Sequence, residues 1–504
     1  MIDVRNVLVN PELIRNVRIN LRPKRMFVAA IVVALTAIVA IPSLLSVFSH
    51  GPGATPVTQF YLSTVLVIQA VVLLYGGGIA CLQSISREKE LNTFDYQRIT
   101  RLSPLDLAIG KLLGAPSMAY FVFLCFVPAA LIGLSGAAAY TFVDLLDSYT
   151  LLLLGALSFH AFTLMISLLL SRSLSTGAII VFLFLAGFTG LPWLLIVILK
   201  ASHQLPQSTG IPFYSFNVPF TPFFTFLYAS LTAWFLLALM RNIKRDPSAY
   251  ELYTPSQALA FAGYLNFIFV GCVGSARLGS DAAQLSSIWI NRVIFFALGL
   301  VLLRNRERTR RRLRELGDRG LSWLEAFWPL PHLLGGIIVC GFLPLLFATP
   351  PAASTTLPAY QMTPQPSDFG LILFRIIFVG ISLSRDILFL QWMNVRSGRR
   401  PFVRGLLYLF AYYGISSALF FSAGFNLAPA EAAFQAVFAP LRAFLLTPAS
   451  WTQATGAWML ALAAQCVITW FFAFLHRQEL LSLATRPKKN LPPAIPTGLA
   501  APAR

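Results

Sequence analysis

Apolar stretches long enough to cross a bilayer recur along almost the whole chain, and few folds other than a bundle of membrane helices can accommodate them. A hydrocarbon core ~30 Å thick needs roughly 20 residues per helical span. Runs of that kind fall near 26–48, 59–83, 112–136, 149–171, 176–199 and 221–240, and again near 257–275, 285–303, 331–349, 369–390, 403–424 and 457–475. A membrane β-barrel would instead show ~10-residue segments of alternating polarity, which this sequence lacks. With 57% hydrophobic and 11% charged residues, a soluble globular domain is excluded. The expected fold class is an all-α polytopic membrane protein with about 12 transmembrane helices.

Lys and Arg set the orientation, because cytoplasmic loops carry their excess. Arg5, Arg15, Arg18, Arg22, Lys24 and Arg25 precede the first span, and Arg87, Lys89, Arg98, Arg101 and Lys111 follow the second. Basic loops also follow spans four, six, eight and ten, whereas the alternate loops are nearly bare, apart from Lys200, Arg277 and Arg442. This parity predicts an even number of spans with both termini in the cytoplasm. The net charge of +19 is then a topogenic excess facing membrane lipids, and no nucleic-acid partner is expected. Cys81, Cys125, Cys272, Cys340 and Cys466 all lie within spans without a C-x-x-C pair, so they read as packing residues.

The segment Ser86–Lys111 breaks the apolar pattern. It is polar, helix-prone and rich in both signs of charge, and it sits between two nearly uncharged spans. Its parts run Arg87-Glu88-Lys89-Glu90, Asn92-Thr93, Leu102-Ser103-Pro104 and Gly110-Lys111. Upstream, Asn10-Pro11-Glu12 supplies a capping residue, a proline for the first helical position and an early acid. The following helix places Leu13, Ile14, Val17 and Leu21 on one face and Arg15, Arg18 and Arg22 on another, the pattern of a helix lying on a membrane surface. Together these segments resemble the first half of ATP-binding-cassette exporter permeases of the type-2 class. Asn92 stands where that family usually has Gly; Asn tolerates left-handed backbone better than most residues.

The resemblance implies a cytoplasmic elbow helix over 1–25, with Asn10, Pro11, Arg15, Arg18 and Arg22, and a six-span permease-like domain over 26–245. It also implies that a separate ATPase docks on loop 86–111, with Arg87, Glu88, Glu90, Thr93, Asp95, Arg98, Ser103 and Pro104 as coupling residues. ATP and Mg would then sit on that partner, two copies per pore, with no cofactor in this chain, and the setting would be the bacterial inner membrane. The family places short re-entrant helices in the loop before its sixth span, which here, over 201–220, is rich in Pro and aromatics. A second six-span domain is expected over 246–484, open to being a diverged repeat: Ser384-Arg385-Asp386 echoes Ser86-Arg87-Glu88, which makes Arg385 and Asp386 a candidate second coupling pair. If only the first half is permease-like, two chains should pair as a homodimer. The basic run Arg304–Arg319 fits either a lipid-facing helix or a second elbow, and the Pro- and Ala-rich residues 485–504 are expected to be disordered.

No catalytic or metal site is expected. The phosphate-cradling pattern G-x-x-x-x-G-K-S/T is absent, since Gly110-Lys111 continues into Leu112. Gly133-Leu134-Ser135-Gly136 has the G-x-S-G form of rhomboid proteases, but Ser135 closes a span where that family opens one, and His160 reads as a hydrogen-bonded interior residue. Arg292 and Arg375 lie within spans, where a charge costs roughly 2.5–3.5 kcal/mol on insertion scales. Their similar expected depth makes them candidates for anionic lipid or substrate, with snorkelling as the plainer reading. The competing class is a membrane protein not driven by ATP: a lipid scramblase, a secondary carrier or an assembly scaffold.

Overall fold

The computed structural model describes residues 10–42, 57–136, 140–169, 210–214, 216–245, 250–274, 280–316, 323–347, 366–396, 401–422, 428–438 and 448–485. The expected fifth span (176–199), most of the loop before the sixth, and the tail from 486 lie outside them.

Helices account for most of the described residues. In order they are α1 (Pro11–Asn20), α2 (Pro23–Leu35), α3 (Val57–Val71), α4 (Gly77–Glu90), α5 (Phe94–Ile99), α6 (Pro104–Gly114), α7 (Ser117–Gly136) and α8 (Phe142–Leu169). Two three-residue strands, β1 (Ile211–Phe213) and β2 (Phe216–Val218), precede α9 (Phe220–Asn242). There follow α10 (Pro255–Gly274), α11 (Ser280–Leu302), α12 (Arg306–Leu316), α13 (Trp323–Ala326), α14 (Leu330–Phe347), α15 (Pro366–Val395), α16 (Pro401–Ser422), α17 (Pro429–Phe438) and α18 (Pro448–Thr485).

Among the described residues, five helical stretches are long and apolar enough to cross a membrane: Thr58–Glu90, Ser117–Gly136, Phe142–Leu169, Phe220–Asn242 and Trp451–Ala484. A sixth arises if Ile288–Leu302 and Arg306–Arg314, bent by 64°, are one broken span. Their packing is that of a protein solvated by hydrocarbon. The most apolar window of Phe220–Asn242 has a mean hydropathy of 1.8 and yet is only 22% buried. Along α2, Phe27, Val28, Val32 and Leu35 all face outward. Water would penalise such a surface by about 25 cal/mol per Å²; lipid does not. The chain is an all-α protein with helices built to span a membrane.

The contacts divide the chain into two compact units, one holding 1–211 and 216–253, the other 212–215 and 254–504. In the first unit α3 packs on α7, and α8 packs on both α4 and α9. Leu62, Leu66, Leu73, Phe123, Phe126, Leu152 and Phe159 fill the space between them. In the second unit α15 lies against α11, α16 and α18, and α10 pairs with α11.

One polar side chain shapes the first bundle. Between α3 and α4 the helix widens into a π turn, Val72–Gly76, a geometry that disturbs the regular backbone ladder. His160 enters there from α8 and donates from Nε2 to the Leu73 carbonyl at 3.0 Å, while its Nδ1 accepts from the Tyr120 hydroxyl at 3.0 Å. The ring fits because position 77 is glycine: a Cβ there would lie 2.3 Å from Nε2. The expected interior, hydrogen-bonded histidine is what is found, and Ser135 donates to the Ile132 carbonyl instead. We expect Gly77→Ala to destabilise the bundle, and His160→Ala to recover part of that loss in the double variant. Thermal unfolding of the four members of this cycle in detergent checks it, and simple additivity would contradict the contact.

Candidate functional site

The polar segment between α4 and α6 folds onto the ends of several helices at once. As a single helix of 33 residues, Thr58–Glu90 runs to about 50 Å, well beyond a ~30 Å hydrocarbon core, so its last turns carry Arg87, Glu88 and Glu90 out of the apolar layer. It ends in a left-handed cap: Asn92 has φ 55°, its N–H donates to Lys89 O at 3.2 Å, and the Thr93 N–H donates to Glu88 O at 2.9 Å. These are the two bonds of a Schellman motif. Asn92 thus occupies the αL position without glycine, and the expected turn is present.

After this cap, α5 has only six residues, too short to persist without tertiary support. That support comes from Phe94, buried among Ile85, Leu107, Leu164, Leu239 and Tyr250, and from Gln97, whose amide donates to Glu88 Oε1 at 2.9 Å. Asp95 and Arg98 pair at 2.8 Å on the outer side. Lys89 reaches the end of α8, donating to the Ser167 carbonyl at 3.2 Å and also to that of Leu168, where a cation meets the negative end of a helix. Lys244 donates to Thr100 O at 2.9 Å. Ser103 and Pro104 then start α6 with a reciprocal capping box between Ser103 and Asp106.

At the centre of these contacts lies Lys111, fully buried, with Nζ 2.5 Å from Glu88 Oε2 and 3.1 Å from Glu12 Oε1. Arg15 closes the cluster from the surface, bridging Glu12 at 2.8 Å and Glu88 at 2.6 Å. Two carboxylates and two cations thus join α1, α4 and α6. The amphipathic α1 starts as expected, capped by the Asn10 side chain accepting from the Glu12 and Leu13 N–H groups. It docks, however, through a stripe that the hydrophobic pattern hides. Glu12, Asn16 and Asn20 recur every fourth residue, one face of a helix, and Asn20 donates to the Gly114 and Ala115 carbonyls at 3.1 Å. Asn10 likewise donates to the Asp106 carbonyl at 2.6 Å. The close approach requires Gly110 and Gly114, whose added Cβ atoms would lie 2.8 and 2.7 Å from the Cβ atoms of Glu12 and Asn16.

The coupling residues read from the sequence therefore separate into two sets. Glu88, Thr93 and Ser103 make internal bonds that build the platform, half-buried Arg98 pairs with Asp95, and Arg15 of α1 belongs with the platform. Arg87, Glu90, Asp95 and Pro104 are exposed, as are Arg18 and Arg22 on α1. The docking roles of Glu12, Asn16 and Asn20 and the central role of Lys111 escaped the sequence reading; the Glu-Asn-Asn spacing matched to Gly110-x-x-x-Gly114 was the available signal.

In the second unit the expected second coupling pair is placed otherwise. Arg385 and Asp386 are buried within α15, joined by bonds of 2.9 and 2.6 Å from Arg385 Nε and Nη2 to Asp386 Oδ1. Arg385 also donates to the Tyr412 hydroxyl and Gln465 Oε1, each at 3.0 Å. Unlike Arg87 and Glu90, neither of the two is exposed. Arg292 pairs with Asp386 Oδ2 at 3.6 Å and donates to Tyr413, which donates to Asp386. That pairing carries the Arg292 guanidinium to Asp386, while Gly299 of the same helix packs against Ile387. Arg292 thus serves an internal ion pair.

No protein-family model, curated protein or solved structure matches the chain. Among the described residues no group of His, Cys, Asp and Glu could hold a metal ion.

Removing one partner of a buried pair costs about 3–5 kcal/mol, whereas an exposed pair contributes ~1 kcal/mol or less. Lys111→Met should accordingly lower the thermal unfolding midpoint far more than Arg15→Met, whose side chain is 42% exposed. At the cap, Asn92→Val should cost about 1–2 kcal/mol from its positive φ, and Asn92→Gly should be tolerated; both are read from the same unfolding curves.

Proposed function

We propose that this chain is the membrane-spanning permease subunit of an exporter, energised by a separate ATP-binding-cassette ATPase that docks on residues 86–111. One observation carries the reading: α5 is held rigidly from behind and presents apolar side chains outward. Leu91, Tyr96 and Ile99 are 64%, 71% and 81% exposed, beyond the end of the long helix and outside the apolar spans. Around them stand Glu90, Asp95 and Arg101, also exposed. An apolar centre with a charged rim is the make-up of a protein interface, and lipid cannot cover a patch that lies in the aqueous layer.

The same contacts supply a mechanical path. A push on α5 acts through Phe94 and Gln97 on the end of α4, through Glu88 and Lys111 on α6, and through Lys89 and Ser86 on the end of α8. Helices packed this way shift as levers, so closure of an ATPase dimer would be transmitted to the spans without covalent chemistry in this chain. Nucleotide and Mg belong to the partner, two copies per pore. Twelve spans with both termini cytoplasmic, in the bacterial plasma membrane, complete the reading, with alternating access as the transport mode.

Tyr96→Glu and Ile99→Glu test it. Both positions face solvent, so each variant should unfold within about 2 °C of the parent, as surface substitutions do, while co-purification with the co-expressed ATPase and stimulation of its hydrolysis fall about tenfold or more. ATPase-dependent transport unchanged in both variants would exclude docking at α5. Lipid scrambling by the purified chain alone in vesicles would favour the class not driven by ATP.

A further inference from the structure

In the second unit a cavity of about 700 Å³ opens beside the buried Arg385–Asp386 pair. It is walled by α15, α16, α17 and α18, and its floor is aromatic: Phe389, Trp392, Tyr412, Phe438 and Phe472. Three arginines line it, Arg385, Arg396 and Arg404, against one carboxylate, Asp386.

That carboxylate is already committed. Asp386 takes two bonds from Arg385, one from Tyr413 and the ion pair with Arg292. Arg396 lies 5.3 Å over the Trp392 ring and, like Arg404, has no carboxylate partner among the described residues. Nor does the local sequence provide one: from Ile387 to Ala430 the chain holds Arg396, Arg399, Arg400 and Arg404 and no acid. Cations gathered at the end of membrane helices draw anionic headgroups, and among the described residues no carboxylate pairs with these two. The volume falls in the ~300–1,000 Å³ range of pockets for drug-sized ligands and far exceeds what a bare inorganic anion fills. The aromatic floor would stay wet beneath such an ion.

We propose that this cavity binds an amphipathic anion, a phosphate- or carboxylate-headed molecule whose charge rests on Arg396 and Arg404 and whose apolar body lies along Trp392 and Phe472. The inference stands on the second unit alone and does not depend on the coupling reading. The molecule's source is either a phospholipid of the surrounding bilayer or a free amphiphile.

Native mass spectrometry of the full chain in a neutral detergent tests it, with dodecyl phosphate, phosphatidylglycerol, inorganic phosphate and uncharged dodecanol as probes. One equivalent of dodecyl phosphate or phosphatidylglycerol should bind at least about tenfold more tightly than inorganic phosphate or dodecanol. Arg404→Gln, on an exposed side chain, should weaken that binding about tenfold with an unchanged unfolding midpoint, and Trp392→Ala should weaken the amphiphiles while leaving the weak response to inorganic phosphate where it was. Phosphatidylglycerol that dodecyl phosphate cannot displace assigns the bilayer as the source; displacement by dodecyl phosphate assigns a free amphiphile. Equal binding of inorganic phosphate, equal binding of dodecanol, or affinity unaltered in Arg404→Gln overturns the proposal.

Discussion

A lysine amine with no access to solvent, held between two carboxylates from distant parts of the chain, is the constraint on which the cytoplasmic side of the first unit depends. Glu12 and Glu88 lie 3.1 and 2.5 Å from Lys111 Nζ and supply the counter-charge. Burying a charge without a partner costs several kcal/mol, so the ends of α4 and α6 and the start of α1 must close together. Once they do, the Gly110 and Gly114 face receives Glu12 and Asn16, and Glu88 orients Gln97 under α5. Surface position, helix start and loop geometry are thus one cooperative arrangement.

The two units treat charge near the membrane differently. In the first, the ion pairs gather where the long helix leaves the apolar layer, and they tie segments separated by many residues. In the second, Arg292, Arg385, Asp386, Tyr412 and Tyr413 form a network buried against α15, where low dielectric strengthens each bond and penalises any unpaired group. The network consumes the local acid, which leaves Arg396 and Arg404 at the cavity wall with no carboxylate partner among the described residues. The resemblance between Ser86-Arg87-Glu88 and Ser384-Arg385-Asp386 therefore conceals opposite surroundings: Arg87 faces solvent and Arg385 does not.

Much of this was legible from the residues. Apolar length announces helices of spanning size because a bilayer leaves only helices and closed barrels to satisfy the backbone, and the alternation of a barrel is missing. The Asn10-Pro11-Glu12 start was readable as a cap, since it rests on bonds within a few residues. Asn92 was readable as a turn for the same reason. The face by which α1 docks was not, because its apolar stripe is the stronger pattern and hydropathy gives no weight to Glu12, Asn16 and Asn20. Nor was the burial of Arg385 and Asp386, as a charged pair near a span end reads equally well as a loop.

The sequence by itself determined the all-α class, the helices long enough to cross a membrane, and the local cap at Asn10, because each depends on residues near one another in the chain. Only the tertiary structure decided that Lys111 unites three helices, that Tyr96 and Ile99 point outward while Phe94 points in, and that Asp386 is spoken for by two arginines. Those outcomes rest on distances between residues remote in sequence. An ion pair or a buried ring is set by which surfaces meet, and no pattern along one segment encodes the partner it will find.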